Sequence, residues 1–339
     1  MTQLPQNIVA RAKASSARIV LPEGSDTRII HAAAAATVSG IANIVILGDA
    51  DIINGRAAQQ GIELEGVTII NPETSSMINR YAELLISTRT KSQLSKKKAI
   101  QQVQQPMVYA NCMVAIGDAD ACIAGAITPT ADVIRHAIRI VGQRPECNVV
   151  SSFFLMLFGA SANGIQGPVL FADCGLVVNP DENELAEIAA NTAYNAELIL
   201  DQPAVIAMLS FSTLGSARHP HVSKVRKATQ IFKENHPNIA ITGEIQLDAA
   251  ISSEIFEAKT RSLARYKKPN VFVFPSLDAG NIAYKLAERT SNATAVGPII
   301  QGLNYPISDL SRGCSNEDIL QNITVTACQV LLRTNPDVN

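Results

Sequence analysis

Short apolar runs, many of them β-branched, alternate along most of the chain with Ala-rich stretches of helical character. RIVL at Arg18 precedes a predicted helix running from Asp26 to Gly40. NIVILGD at Asn43 opens a second such unit, and ACIAGAIT at Ala121 precedes a helix beginning near Ala131. AVIAMLSF at Ala204 leads to a helix after Pro220, and NVFVFP at Asn270 leads to AGNIAYKLAERT. TAVGPIIQGL at Thr294 precedes a C-terminal helix from Asn316. Apolar runs separated by helices predict parallel strands covered on both faces, which is α/β architecture.

The middle of the chain breaks this rhythm. From Asn148 to Asn179 the runs NVVSSFFLMLF, GPVLFAD and GLVVNP follow one another through Gly-rich turns with no helix between them. Such a stretch predicts hairpins and the start of a second domain, with the boundary at residues 147 and 148. In open α/β sheets ligands bind beyond the carboxyl ends of the strands, so the strand-to-helix turns are where chemistry is to be sought.

Composition narrows the classes. The 339 residues are 47% hydrophobic and 17% charged, which excludes a disordered chain or a disulfide mini-scaffold and suits about two domains. Lys and Arg number 28 against 30 Asp and Glu, so there is no basic excess for nucleic acid, and an anionic ligand must be met by a few placed cations. The six cysteines form no CxxC and no paired His spacing; they read as small buried hydrophobes in a reducing compartment. The N-terminus lacks a continuous apolar segment, and even the longest apolar runs, such as FFLMLF at Phe153, are far short of the ~20 residues that span a bilayer. The expectation is a soluble, cytoplasmic protein with no membrane partner.

GxxxxGK[ST], a GxGxxG between strand and helix, GxSxG and HExxH are all absent, so the chemistry those motifs carry is not indicated. The richest turn is DLSRGCSNEDI, Asp309 to Ile319. Ser315 and Asp318 form an S-x-x-D start to the C-terminal helix, as a capping box does. Capping does not call for Arg312, whereas a guanidinium beside free helix N–H groups makes an anion site. GAITPTADVIRHAIRIV, from Gly125, sets Thr128 and Thr130 at a helix start with Arg135 one turn in; it reads as a capped helix with a solvated Arg or as a second anion site. SFSTLGSARH, from Ser210, brings Ser212, Thr213, Gly215 and Ser216 into a loop that is either ordinary surface or a place of close backbone approach to a ligand. Lys285 and Arg289 share a helix face, solvated or phosphate-binding. Together these features describe an α/β enzyme for a phosphorylated ligand, without histidine chemistry or a metal cage.

DLSRGCSNEDI preceded by GPIIQGLNYPI resembles the C-terminal signature of the phosphate acetyltransferases. LPEGSDTR at Leu21, LFADCGLVVNP at Leu170, AMLSFSTLGSA at Ala207, GEIQLDAAI at Gly243 and NVFVFPSLDAGNIAYKLAERT at Asn270 are similar to further blocks of that family, in its order and spacing. The resemblance runs from about residue 8 to 335 and matches the short class. It implies two α/β domains with a cleft between them, in the isocitrate/isopropylmalate-dehydrogenase-like arrangement. Residues 1–147 with 298–339 would form the first, and 148–297 the second. It implies a homodimer that interconverts acetyl-CoA plus phosphate with acetyl phosphate plus coenzyme A (CoA), CoA being a substrate, with no tightly bound cofactor and no metal.

Ser311, Arg312 and Asp318 match the family's active-site serine, arginine and aspartate. Arg89 and Arg135 match arginines used for CoA and phosphate, and Arg28 is a further candidate. The resemblance assigns the CoA thiol's proton to Asp318. Between a free Asp (pKa ~3.9) and a free thiol (~8.5) such a transfer is uphill by roughly 6 kcal/mol. Without a neighbouring histidine Ser311 suits hydrogen bonding better than acylation, and Cys314 suits packing. The chain departs from the family at Pro129, His136 and Cys122. A phosphate butyryltransferase, or another acyl-phosphate/CoA acyltransferase, is the nearest alternative, because one methylene of pocket space discriminates by only ~1–3 kcal/mol. A non-catalytic paralogue that binds CoA or acyl phosphate is the alternative of another class. A decarboxylating dehydrogenase would need carboxylates for a metal where this chain has Ser and Arg.

Overall fold

The computed structural model describes residues 4–88, 94–159, 164–260 and 265–334. The chain forms two compact units, one of Ile8–Arg144 with the segment from Leu303 onward, the other of Pro145–Gly302 with the residues before Ile8.

In the first unit RIVL, β1 (Arg18–Leu21), lies between β2 (Asn43–Leu47) and β4 (Ala121–Ala124), with β3 (Thr68–Ile70) outside β2 and β11 (Ile307–Asp309) outside β4. All of these pairs are parallel. Strands buried on both faces need apolar side chains in both directions, and β4 and β11 are buried at every position. The covering helices follow from the Ala-rich stretches. Thr27–Val38 is capped by Asp26, whose carboxylate accepts from Arg28 N at 2.8 Å. The C-terminal helix Asn316–Thr334 buries Ile319, Ile323 and Ala327, one stripe at a spacing of four.

The second unit orders its strands β10 (Thr294–Gln301), β5 (Ser151–Phe158), β6 (Gly167–Ala172), β9 (Val271–Val273), β7 (Val205–Leu209) and β8 (Ala240–Ile245). The hairpin predicted after Asn148 is the antiparallel pair β5–β6. Two expectations are corrected. GLVVNP is no strand, because the Asp173 carboxylate takes the backbone N–H groups of Gly175, Leu176 and Val177 at 2.7–3.2 Å and so curls the segment. TAVGPIIQGL does not pair in parallel with β5: β10 runs antiparallel to it, and its register shifts between Val296 and Ile299, around Pro298, which has no N–H to give. The last strand before DLSRGC is instead β11, too short and polar to stand out as an apolar run.

Candidate active site

Three turns of the first unit converge because β1, β4 and β11 are parallel neighbours and end together. The register pairs Ala124 with Asp309, and Leu310 N donates to Ala124 O at 2.7 Å. The loop from Gly125 and the turn from Leu310 therefore start side by side. Gly125 has φ +112°, and a Cβ there would collide with Asp309 Oδ1 and the main chain of Leu310. Only glycine allows the two turns this approach.

Buried Glu23, just after β1, braces the loop. Its Oε2 accepts from Gly125 N (3.0 Å) and Ala126 N (2.8 Å), and its Oε1 from Ile127 N (3.1 Å) and Thr128 N (2.8 Å). The four N–H groups that could have received an external anion beyond β4 thus hold a carboxylate of the chain itself. Thr130 opens the next helix, Thr130–His136; its hydroxyl donates to Asp309 Oδ2 at 2.6 Å. Arg135 is exposed and pairs with Asp132 one turn back.

Arg28 ties the turns together. Nη1 donates to the carbonyls of Arg312 (2.9 Å) and Cys314 (2.8 Å), Nη2 to Ala126 O (2.9 Å) and Asp26 Oδ2 (2.6 Å), and Nε to Asp26 Oδ1 (3.0 Å). A guanidinium has five N–H donors. All five are committed, which leaves none for a substrate in this arrangement. The Arg28 guanidinium also holds the Asp26 carboxyl below the usual carboxylate range.

Ser311 and Arg312 lie exposed on the turn so held. Gly313 N donates to Ser311 Oγ at 3.4 Å. The Arg312 side chain makes no hydrogen bond or ion pair with the described residues, so the one guanidinium on this turn is available to a ligand. Asp318 Oδ2 accepts from Ser315 N (2.9 Å) and Ser315 Oγ (2.8 Å), while Ser315 Oγ accepts from Asp318 N (3.1 Å). That reciprocal set is a helix cap. Cys314 is buried, and burial pushes its thiol up, as befits a packing side chain.

Asp309 was not among the candidates from sequence, and neither was Glu23. Asp309 is 2% exposed, and burial pushes its carboxyl up to about 6 against the lowering hydrogen bond from Thr130. Its Oδ1 has no hydrogen-bond partner. Both residues stand inside the quoted motifs LPEGSDTR and DLSRGCSNEDI. The available signal was their position immediately after β1 and at the end of β11.

In the second unit the hydroxyls of Ser212 and Thr213 are spent on the end of β8. Ser212 Oγ donates to Glu244 Oε1 (3.0 Å), and Thr213 Oγ1 donates to Gln246 Oε1 (3.1 Å). Buried Glu244 also accepts from Gly215 N and Arg226. Beside this loop a cavity of about 420 Å3 opens at the carboxyl ends of β7 and β9, walled by Leu209, Phe211, Leu247 and Phe274. Lys224 borders it, donating to Asn179 Oδ1 (3.0 Å) and Pro275 O (2.8 Å). Lys285 and Arg289 are exposed on the helix Leu277–Thr290, Arg289 3.8 Å from Glu288. Arg89 lies outside the described residues. No group of three or more His, Cys, Asp and Glu among the described residues could hold a metal ion, and no helix among them is long and apolar enough to cross a membrane.

The family model described as "Phosphate acetyl/butaryl transferase" matches residues 3–327. The chain belongs to this family. It is 42% identical over 324 residues to the phosphate acetyltransferase of Acetivibrio thermocellus, covering 96% of this chain and 97% of that one. It is 43% identical over 324 residues to the phosphate acetyltransferase of Thermoanaerobacterium thermosaccharolyticum, covering 96% and 98%. A phosphotransacetylase structure from Streptococcus pyogenes aligns with TM-score 0.89 at 37% identity, over 96% of this chain and 98% of that one. The family model joins acetyl and butyryl transferases, and the relatives named here carry the acetyl name.

Proposed function

We propose that the chain is a phosphate acetyltransferase, reversibly converting acetyl-CoA and phosphate to acetyl phosphate and CoA in a ternary complex. The observation that carries this reading is the unpartnered Arg312 guanidinium beside Ser311, on a turn that opens the C-terminal helix. A free guanidinium at a helix N-terminus suits a phosphoryl group, and full-length similarity to phosphate acetyltransferases supports the choice of reaction.

In the thioester-forming direction the thiolate of CoA attacks the acetyl carbonyl carbon, and the bond from that carbon to the phosphate oxygen breaks. Arg312 neutralises the departing phosphate. The Ser311 hydroxyl donates to the carbonyl oxygen as it becomes an oxyanion, the kind of placed donor that supplies much of the stabilisation in acyl transfer. The thiol's proton goes to a carboxylate of this cluster, Asp318 in the reading taken from the family resemblance. Arg135, Arg89, Lys285 and Arg289 are proposed to meet phosphate groups of CoA or the acyl phosphate, and Arg28 to position the turns. The enzyme is proposed to be a cytoplasmic homodimer without a tightly bound cofactor.

Thioester formation from CoA with acetyl phosphate and with butyryl phosphate, measured in parallel, tests the reading. Higher kcat/KM with acetyl phosphate is the expected result. Preference for butyryl phosphate would transfer the assignment to a phosphate butyryltransferase. Binding of both substrates without turnover would make the chain a non-catalytic binder.

A further inference from the structure

Asp318 and Asp309 flank the Ser311–Arg312 turn, and the structure treats them differently. Asp318 is only half-buried and caps its helix through Oδ2, which accepts from Ser315 N and Ser315 Oγ. Asp309 has no capping role. It is buried at the end of β11, one oxygen holds the Thr130 hydroxyl at 2.6 Å, and the other has no partner. Thr130, by contrast, is exposed at the start of its helix. The pair connects a surface hydroxyl, on the same strand ends as Ser311, to a carboxylate that water does not reach.

A hydroxyl has one proton to donate and two lone pairs with which to accept. The proton of Thr130 is committed inward, so its outward face is an acceptor. The reacting end of acetyl phosphate presents acceptor oxygens, whereas the reacting end of CoA presents an S–H donor. We propose that Thr130 receives the S–H of the CoA thiol and that Asp309, behind it, is the final acceptor of that proton. This rests on the phosphate acetyltransferase reading and, within it, gives the thiol's proton to Asp309 in place of Asp318, the acceptor taken from the family resemblance. The sulfur's proton moves to Thr130 Oγ1 as the proton already on Oγ1 moves to Asp309 Oδ2. A thiolate and a neutral carboxylic acid result, with one bond to hydrogen broken and one formed at Oγ1. In the reverse direction the same steps return the proton to the leaving sulfur.

Burial supports the assignment. A carboxyl titrating at about 6 is closer to a free thiol at ~8.5 than is a free Asp at ~3.9, and acid–base catalysis is most effective with a group poised near the working pH. The charged and titratable groups on the surrounding elements are Glu23, Asp26 and Arg28 after β1, Cys122 on β4, Asp132, Arg135 and His136 on the helix of Thr130, Arg312 and Cys314 after β11, and Glu317, Asp318 and Cys328 on the C-terminal helix. Among these, Glu23 adds to the upward push on Asp309.

The test is the pH dependence of kcat/KM for CoA in the thioester-forming direction, measured on the full-length protein. The wild type is expected to show an acidic limb with its midpoint near pH 6. Asp309→Asn is expected to abolish that limb and to lower the plateau tenfold or more, while Asp318→Asn keeps the limb. Thr130→Ser is expected to retain limb and plateau, and Thr130→Val to lose the plateau as Asp309→Asn does. A limb unchanged in Asp309→Asn, or a Thr130→Val plateau within twofold of wild type, would overturn the proposal.

The 13C resonance of the Asp309 carboxyl provides a readout that needs no turnover, and it also serves should Asp309→Asn fail to fold. Its midpoint is expected near pH 6 in the wild type and higher in Thr130→Val, which loses the bond that lowers it. An identical midpoint in both would overturn the pairing. A wild type with this titration but no turnover of either acyl phosphate would retain the pair while removing the acetyltransferase reading, and with it the thiol as donor.

Discussion

Arg28 and Arg312 are 284 positions apart in the chain, yet Arg28 Nη1 donates to the Arg312 carbonyl at 2.9 Å. The contact assigns different work to two arginines of the same site. Arg28 fixes where the turn lies, and the side chain of Arg312 remains available to a ligand. Arg28→Lys should separate these roles, because an ammonium keeps the charge but has three donors and no fork. Arg28→Lys is expected to lower unfolding free energy by about 1–3 kcal/mol and kcat/KM at least tenfold. Urea unfolding and steady-state kinetics on the same preparation check this, and a variant equal to wild type in both would show that the tie is dispensable.

Glu23 makes a similar prediction with a different readout. Glu23→Gln keeps one acceptor oxygen and loses the other, so two of the four N–H groups from Gly125 to Thr128 are left without it. Each unsatisfied buried donor costs about 1–3 kcal/mol. Amide hydrogen exchange at Gly125–Thr128 is expected to accelerate, together with a drop in melting temperature.

Asp309 predicts a pH dependence of stability. Its carboxyl titrates at about 6 in the folded chain and at ~3.9 in an unfolded one. Between these values the native state holds more protons than the unfolded state, so stability falls as pH rises from about 4 to about 6 and then levels. The ionised group costs on the order of 3 kcal/mol above that window. Asp309→Asn removes the titration, so its stability relative to wild type is expected to improve between pH 4.5 and pH 7.5. Urea midpoints at the two pH values decide it, and a difference that does not change with pH would contradict the buried, titrating carboxyl.

Cys314 is expected to be chemically passive. It is buried, its thiol is pushed up by burial, and Arg28 Nη1 lies 3.8 Å from its sulfur. Cys314→Ser should keep more than about half of wild-type kcat. A loss of two orders of magnitude or more, with the fold intact by circular dichroism, would call for an acyl-cysteine route.

The α/β class was legible because RIVL and NIVIL are apolar on both strand faces, and because Ala-rich helices with side-chain caps follow them. β11 was not. Ile-Ser-Asp has no apolar pattern, and its parallel ladder with β4 is a tertiary contact that local sequence does not announce. GLVVNP looked like a strand because its side chains suit one, but a carboxylate upstream takes the N–H groups a ladder would need. At the site, the Ser-Arg turn and the capping pair Ser315–Asp318 were readable as local sequence. The occupation of the loop beyond β4 by Glu23, the five ties of Arg28 and the pairing of Thr130 with Asp309 were not. Apart from the two local bonds from Arg28 to Asp26, these contacts join residues from 98 to 286 positions apart, and no local spacing records them.

The free guanidinium of Arg312 is proposed to carry the acyl phosphate chemistry. Single-turnover formation of acetyl-CoA from CoA and acetyl phosphate, in wild type and in Arg312→Ala, tests it most directly. The expected result is product in the wild type and a rate at least a thousandfold lower in Arg312→Ala, about 4 kcal/mol of lost transition-state stabilisation, with the unfolding midpoint unchanged. An Arg312→Ala enzyme within tenfold of wild type would contradict it.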